Sequence, residues 1–122
     1  MNIKVIIAGS RKFNDFEFMK NKLNPIFKDI KNCEIISGTA NGADKLGEEY
    51  AKYKGYNIKQ MPADWSKGKS AGYKRNVEMA DYALTGDKYR LIIFWDGISK
   101  GSNHMINIAK ERNIKTKIIL FK

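Results

Sequence analysis

Two glycine-bearing stretches carry the residue types that could do chemistry. Ser37-Gly38-Thr39-Ala40-Asn41-Gly42-Ala43-Asp44 and Asp96-Gly97-Ile98-Ser99-Lys100-Gly101-Ser102 each follow a short apolar run and open an amphipathic one. That position suits an anion. Glycine lets backbone come close to a ligand, and a helix N-terminus offers unpaired N–H groups and a partial positive charge. Ser37, Thr39, Ser99 and Ser102 add hydroxyls that can donate to a phosphate. Tight strand-to-helix turns also call for glycine, so one such loop would decide nothing; two in a short chain favour phosphate binding. Neither is a Walker motif, because no Gly-Lys-Ser/Thr follows at the required spacing, and neither completes the dinucleotide fingerprint.

Other polar residues fall close to these loops. Gly9-Ser10-Arg11 follows the first apolar run directly, and nothing near Arg11 in the sequence requires an arginine. Arg75-Asn76 lies early in a helical pattern, where the guanidinium can fork onto a phosphate or carboxylate; for both arginines the plain alternative is a surface ion pair. Trp65 and Trp95 can stack on a base or pack the edge of a sheet. Asp44, Asp64 and Asp96 can read ribose hydroxyls or cap helices and turns. His104 has no visible partner and reads as a bystander.

The elements needed to position these residues are legible from periodicity. Ile3–Ala8, Glu34–Ser37, Tyr56–Met61, Arg90–Trp95 and Lys117–Phe121 are short strand-like runs. Between them run helical patterns: Phe16, Met19, Leu23, Ile26 and Phe27 behind an Asp15 cap; Ala43, Leu46, Tyr50 and Tyr53, ended by Gly55; Tyr73, Val77, Ala80 and Leu84 behind a Ser70 cap; and Met105, Ile108 and Ala109. Residues 63–70 are polar and read as a loop. Strict alternation of strand and helix predicts one α/β domain over residues 1–122, a Rossmann-like three-layer fold with a mostly parallel sheet of about five strands. In such a sheet ligands bind beyond the carboxyl ends of the strands. The stretches Gly9-Ser10-Arg11, 37–44, Pro62-Ala63-Asp64-Trp65 and 96–102 all fall there.

Composition bounds the possibilities. The 122 residues are 43% apolar and 30% charged, enough for a core and unlike a disordered chain. One cysteine, Cys33, excludes an internal disulfide framework, and one histidine excludes sites needing two or three imidazoles. Nothing in the sequence calls for a metal or cofactor. The longest apolar runs are far too short to span a bilayer, and the N-terminal residues do not read as a signal peptide, so the expected compartment is the cytoplasm. The net charge of +10 comes from 23 basic residues, but only four are arginines and the lysines are scattered without a run. Dispersed lysine makes a soluble face more readily than a base-reading surface. A polynucleotide partner is therefore placed behind a small anionic one. The sequence leaves room for a homo-oligomer.

In order along the chain, Val5-Ile6-Ile7-Ala8-Gly9-Ser10-Arg11, Ser37-Gly38 with Gly42-Ala43-Asp44, Pro62-Ala63-Asp64-Trp65, Ala71-Gly72 with Arg75-Asn76 and Met79-Ala80, and Trp95-Asp96-Gly97 with Ser99 and Gly101-Ser102 resemble the small stand-alone YspA/YpsA-related branch of the SLOG superfamily. The resemblance implies a Rossmann-like fold and a pocket for a nucleotide or nucleotide-derived molecule. Strand-end position and the resemblance together give as candidate site residues Gly9, Ser10, Arg11, Ser37, Gly38, Thr39, Gly42, Ala43, Asp44, Asp64, Trp65, Arg75, Asn76, Asp96, Gly97, Ser99, Gly101 and Ser102. Its relatives include the lonely-guy phosphoribohydrolases and the single-stranded-DNA-binding Smf/DprA proteins. The hydrolases carry a Gly-Gly-x-Gly-Thr-x-x-Glu motif, and here Met105 stands where that glutamate would be. Methionine offers no acid–base chemistry. The expectation is thus a binding protein that senses or sequesters its ligand and has no catalytic residue. An N-glycosidic nucleoside 5′-phosphate hydrolase, using Asp96, is the alternative. A single-stranded nucleic-acid-binding accessory protein is the third reading.

Overall fold

The structure, a computed structural model, describes residues 1–122. Strand and helix alternate as β1 (Ile3–Gly9), α1 (Phe16–Phe27), β2 (Glu34–Ser37), α2 (Ala43–Lys54), β3 (Asn57–Gln60), a 3-10 turn at Trp65–Lys67, α3 (Ala71–Ala83), β4 (Lys88–Trp95), α4 (Lys100–Glu111) and β5 (Lys115–Leu120). The five strands form one sheet in the order β3-β2-β1-β4-β5. Every neighbouring pair is parallel, so the sheet is wholly rather than mostly so.

Strand periodicity divides the core between two faces. Val5, Ile7, Ile35, Ile92 and Phe94 pack with Met19, Leu23 and Phe27 of α1 and Tyr50 and Ala51 of α2. The alternate residues Ile6, Ala8, Ile36, Leu91 and Ile93 pack with Met79, Ala80 and Ala83 of α3 and Met105, Ile108 and Ala109 of α4. Strands buried on both faces read as continuous apolar runs, and β1 and β4 do. The edge strand β3 shows exposed Asn57, Lys59 and Gln60, and is shorter than its apolar pattern at 56–61 suggests.

Local capping follows the sequence in some places and departs from it in others. The Asp15 carboxylate accepts from the Phe18 amide at 3.0 Å, and Gly55 closes α2 with φ of 79°. Ser70 precedes α3 but makes no side-chain cap bond. On α2, Tyr53 is 58% exposed. On α3 the buried face is Ala71, Asn76, Met79, Ala80 and Ala83, whereas Tyr73 and Leu84 are exposed. Alanine at three of those five positions lets the helix lie close against the sheet, which moves its bulkier residues to the flanks.

After β1 the chain steps outward to β2 and β3, then returns to the opposite side for β4 and β5. The strand order therefore reverses between β1 and β4, and a crevice opens beyond their carboxyl ends. The two backbones are tight there: Ser10 N–H donates to the Phe94 carbonyl at 2.9 Å, and a Cβ on Gly9 would collide with that same oxygen.

Candidate functional site

The crevice holds a cavity of about 490 Å³, within the roughly 300–1,000 Å³ usual for small-molecule sites. Its floor is apolar, built from Ala8 and Ile93 of the sheet with Met79 of α3 and Met105 of α4. Charge is confined to the walls. Arg11 and Lys12 come from the loop after β1, Arg75 from α3 and Lys69 from the preceding loop, while Asp44 and Asp96 bring the carboxylates. Trp65 and Tyr73 supply aromatic surface. A side cavity of about 340 Å³ continues past Gly38, Thr39 and Ala40 toward Pro62, and shares Arg11, Trp65 and Arg75 with the first.

The arginines differ in how they are held. Arg11 is exposed, makes no salt bridge, and lies 5.7 Å from the centre of the Trp65 ring, within cation–π range. Arg75 is partly buried. Its Nη1 donates to the Gly38 carbonyl, and its Nε donates to the Asn76 side-chain oxygen at 3.2 Å. Burial lowers its pKa, the Asp44 charge opposes that, and Arg11 adds to the lowering; a guanidinium nonetheless stays charged at neutral pH. Asn76, itself buried, also donates toward the Gly101 carbonyl at 3.4 Å, tying α3 to the start of α4. It lies 3.2 Å from His104 Nδ1. His104, which also packs on Tyr73 at 4.5 Å between ring centres, thus supports the wall.

The acids have distinct roles. Asp44 is 5% exposed and accepts from the Ala40 amide at 3.1 Å. Burial pushes its carboxyl up to about 6, against the pull of that hydrogen bond and of Arg75. Asp96 accepts from the Ile98 and Ser99 amides at 3.0 and 2.8 Å, and those bonds hold it below the usual carboxylate range. Asp64 caps the 3-10 turn through Ser66 and lies outside both cavities.

The two glycine loops are built differently. The first is largely spent on structure. The Ser37 hydroxyl is buried and donates to Glu48 at 2.6 Å, and Glu48 also receives a bond from Gln60 at 2.9 Å. The N-terminus of α2 is occupied by protein, since Ala43 N–H donates to the Ser10 carbonyl at 3.1 Å. A Cβ on Gly42, whose φ is 85°, would collide with the Ser10 and Arg11 carbonyls. Gly38 and Thr39 reach only the side cavity. The second loop is open: Ser99, Gly101 and Ser102 line the main cavity, space lies free beside the Gly101 Cα, and Ser99 Oγ is buried without a hydrogen-bond partner. Gly97, with φ of 86°, only makes the turn.

Of the residues singled out in the sequence, Gly9, Ser10, Arg11, Asp44, Trp65, Arg75, Asn76, Asp96, Ser99, Gly101 and Ser102 line the main cavity. Ser37, Gly42, Ala43, Asp64 and Gly97 line neither cavity. Trp95 is tied to its own loop, donating to the Ser99 carbonyl at 3.1 Å. Sequence reasoning missed Lys12, Lys69 and the cavity-facing Tyr73; it named Gly72 and Met79 only within the family resemblance, and Ala8 there and in the first strand, without assigning them to the site. The Trp65 ring rests on Gly72, 3.1 Å from where a Cβ would stand, and an aromatic seven residues before a helix glycine gives no sequence signal for that contact.

A family model described as the YspA, cpYpsA-related SLOG family (YAcAr) matches residues 3–68, more than half of the chain, and the chain belongs to that family. Membership points to nucleotide-related ligand binding or a related activity. No curated protein and no solved structure matched the chain. No helix is long and apolar enough to cross a membrane.

Proposed function

We propose that this protein binds a nucleotide or nucleotide-derived phosphorylated molecule beyond the carboxyl ends of β1 and β4, and senses or sequesters it without turning it over. The observation that carries this reading is the convergence of Arg11 and Arg75, neither in a salt bridge, on one cavity with an apolar floor and an exposed tryptophan at its rim. The N-terminus of α4, which has no side-chain cap bond, adds amides. In this arrangement phosphate meets Arg11, Arg75 and the α4 amides, and the apolar parts of the ligand meet Trp65 and the floor.

Met105 contributes only bulk to that floor. Asp96, the remaining carboxylate beside α4, is engaged by two backbone amides, which favours a fixed, ionised group over a proton donor. The reading is tested by thermal shift against AMP, ADP and ADP-ribose. A ligand present at a hundred times its Kd adds about 2.7 kcal/mol of stability. At least one should raise Tm clearly, and Arg11→Ala should weaken that ligand tenfold or more while leaving the free protein's Tm unchanged. Absence of any shift overturns the binding assignment. Base release from a nucleoside monophosphate that Asp96→Asn abolishes would replace it with the hydrolase.

A further inference from the structure

A second cavity, of about 420 Å³, opens at the other end of the sheet, beside the amino ends of β1, β4 and β5. Its walls are apolar: Ile3 and Val5 of β1 face Ile26 and Phe27 at the end of α1 and Ile30 in the turn beyond it. Its rim is cationic. Lys88 and Arg90 occupy the positions of β4 whose side chains share a face with Ile92 and Phe94, and Lys115 of β5 stands in register with Arg90. Arg90 and Lys115 are thus like charges on adjacent strands, an arrangement that destabilises a sheet unless something neutralises it. No carboxylate of the chain pairs with either within 4.0 Å. None of Lys88, Arg90 and Lys115 is in a salt bridge. Asp87, which accepts from the Asn2 amide at 2.8 Å, is the single acid lining the cavity, so three cations face one carboxylate there.

We infer that this cavity is a binding site for a small anionic amphiphile, an apolar chain carrying one carboxylate, distinct from the nucleotide site. The chain lies along Ile3, Val5, Ile26 and Ile30. The carboxylate sits between Arg90 and Lys115, where it relieves their mutual repulsion and accepts from the guanidinium. Four apolar walls against one cationic edge match an amphiphile better than a polyanion, which would need charge along its whole length.

The test uses the full chain with isoleucine methyl groups labelled for NMR, titrated with decanoate, decyltrimethylammonium and a twelve-residue oligothymidylate. Decanoate should shift the methyls of Ile3, Ile26 and Ile30 and leave Ile93 and Ile98, at the other cavity, unmoved; the cationic amphiphile should shift none of them. Arg90→Ala should weaken decanoate about tenfold, the size expected for one charge-assisted hydrogen bond. Lys115→Glu, at an exposed position, should weaken it by a similar factor even if Arg90→Ala folds poorly. Neither change should alter stabilisation by nucleotide. The inference is overturned if decanoate leaves the three methyls in place below its micellar concentration, or if both amphiphiles shift them equally. It also fails if the oligothymidylate alone shifts them.

Discussion

Asp44 couples the candidate site to pH. Its carboxyl titrates at about 6 in the fold against an ordinary value of 3.8, because burial penalises the charged form. Between those values the folded state holds more protons than the unfolded one, so this group's contribution falls as pH rises from about 4 to 6 and is flat above. Asp44→Asn keeps an acceptor for the Ala40 amide and removes the titration. It should flatten that part of the stability–pH curve, measured by urea unfolding at pH 4 to 8, and raise stability at pH 7.5 by on the order of 1–2 kcal/mol. A phosphate placed beside Arg75 would raise the Asp44 pKa further. Nucleotide binding near pH 6.5 should then take up a fraction of a proton, seen in calorimetry as a heat that varies with the buffer's ionisation enthalpy. The same residue shows a limit of sequence reading: an aspartate in a helix's first turn reads as a cap, and only its burial in the fold, which outweighs the opposing pull of Arg75, makes it titrate at about 6.

At the scale of elements, β1 and β2 are joined by a charge pair as well as by their ladder. Lys4 Nζ lies 2.8 Å from Glu34, and the pair is in register. Tyr82 of α3 donates to the same carboxylate, and its ring lies 4.0 Å from the lysine. Burial works to lower the Lys4 pKa, and Glu34 and Tyr82 more than reverse it. Removing one partner strands the other: Glu34→Ala should cost about 3 kcal/mol in a denaturation experiment, whereas the double change Lys4→Met with Glu34→Leu should cost much less. Gly42→Ala should also destabilise, by about 2 kcal/mol or more, since the φ of 85° and the Ser10 and Arg11 carbonyls leave no room for a Cβ. Order and type of elements were plain in the sequence because β1, β2 and β4 are apolar runs closed by Gly9, Gly38 and Gly97, and helical spacing fills the stretches between the strands. The inward face of α3 was not, since the buried Asn76 breaks the apolar stripe and alanines carry the contact that Tyr73 and Leu84 would be expected to make. Arg11 and Arg75 were readable as strand-end and helix-start cations. The Ser37 hydroxyl was not readable as structural, because its partner Glu48 lies on the next helix.

For the whole molecule, the proposed mononucleotide ligand makes the net charge of +10 a general background, whereas a polynucleotide would make it a docking face. A mononucleotide held by Arg11, Arg75 and helix amides should lose affinity only gently between 50 and 200 mM salt, as few counterions are released. Single-stranded DNA neutralising Z phosphates loses affinity with a slope of about −0.7Z. Fluorescence titration of both ligands across that range separates the two, and a steep slope for oligonucleotide with no mononucleotide binding would favour the nucleic-acid reading.

The central place of β1 has a consequence for how the chain is made. Its register with β4 runs from Ile3↔Lys88 to Gly9↔Phe94, so one flank of the first strand synthesised must wait for the fourth. At about 5–20 residues per second, that wait is on the order of ten seconds during translation. Throughout it, Val5-Ile6-Ile7-Ala8 presents an open edge that is apolar above and below, the kind of template on which nascent chains stick to one another. The stretch shared with the family, residues 3–68, holds β1, β2 and β3 but not the strand that closes this edge. A chain ending after β3 should therefore aggregate where the whole chain does not, a difference that light scattering of residues 1–68 against residues 1–122 would show.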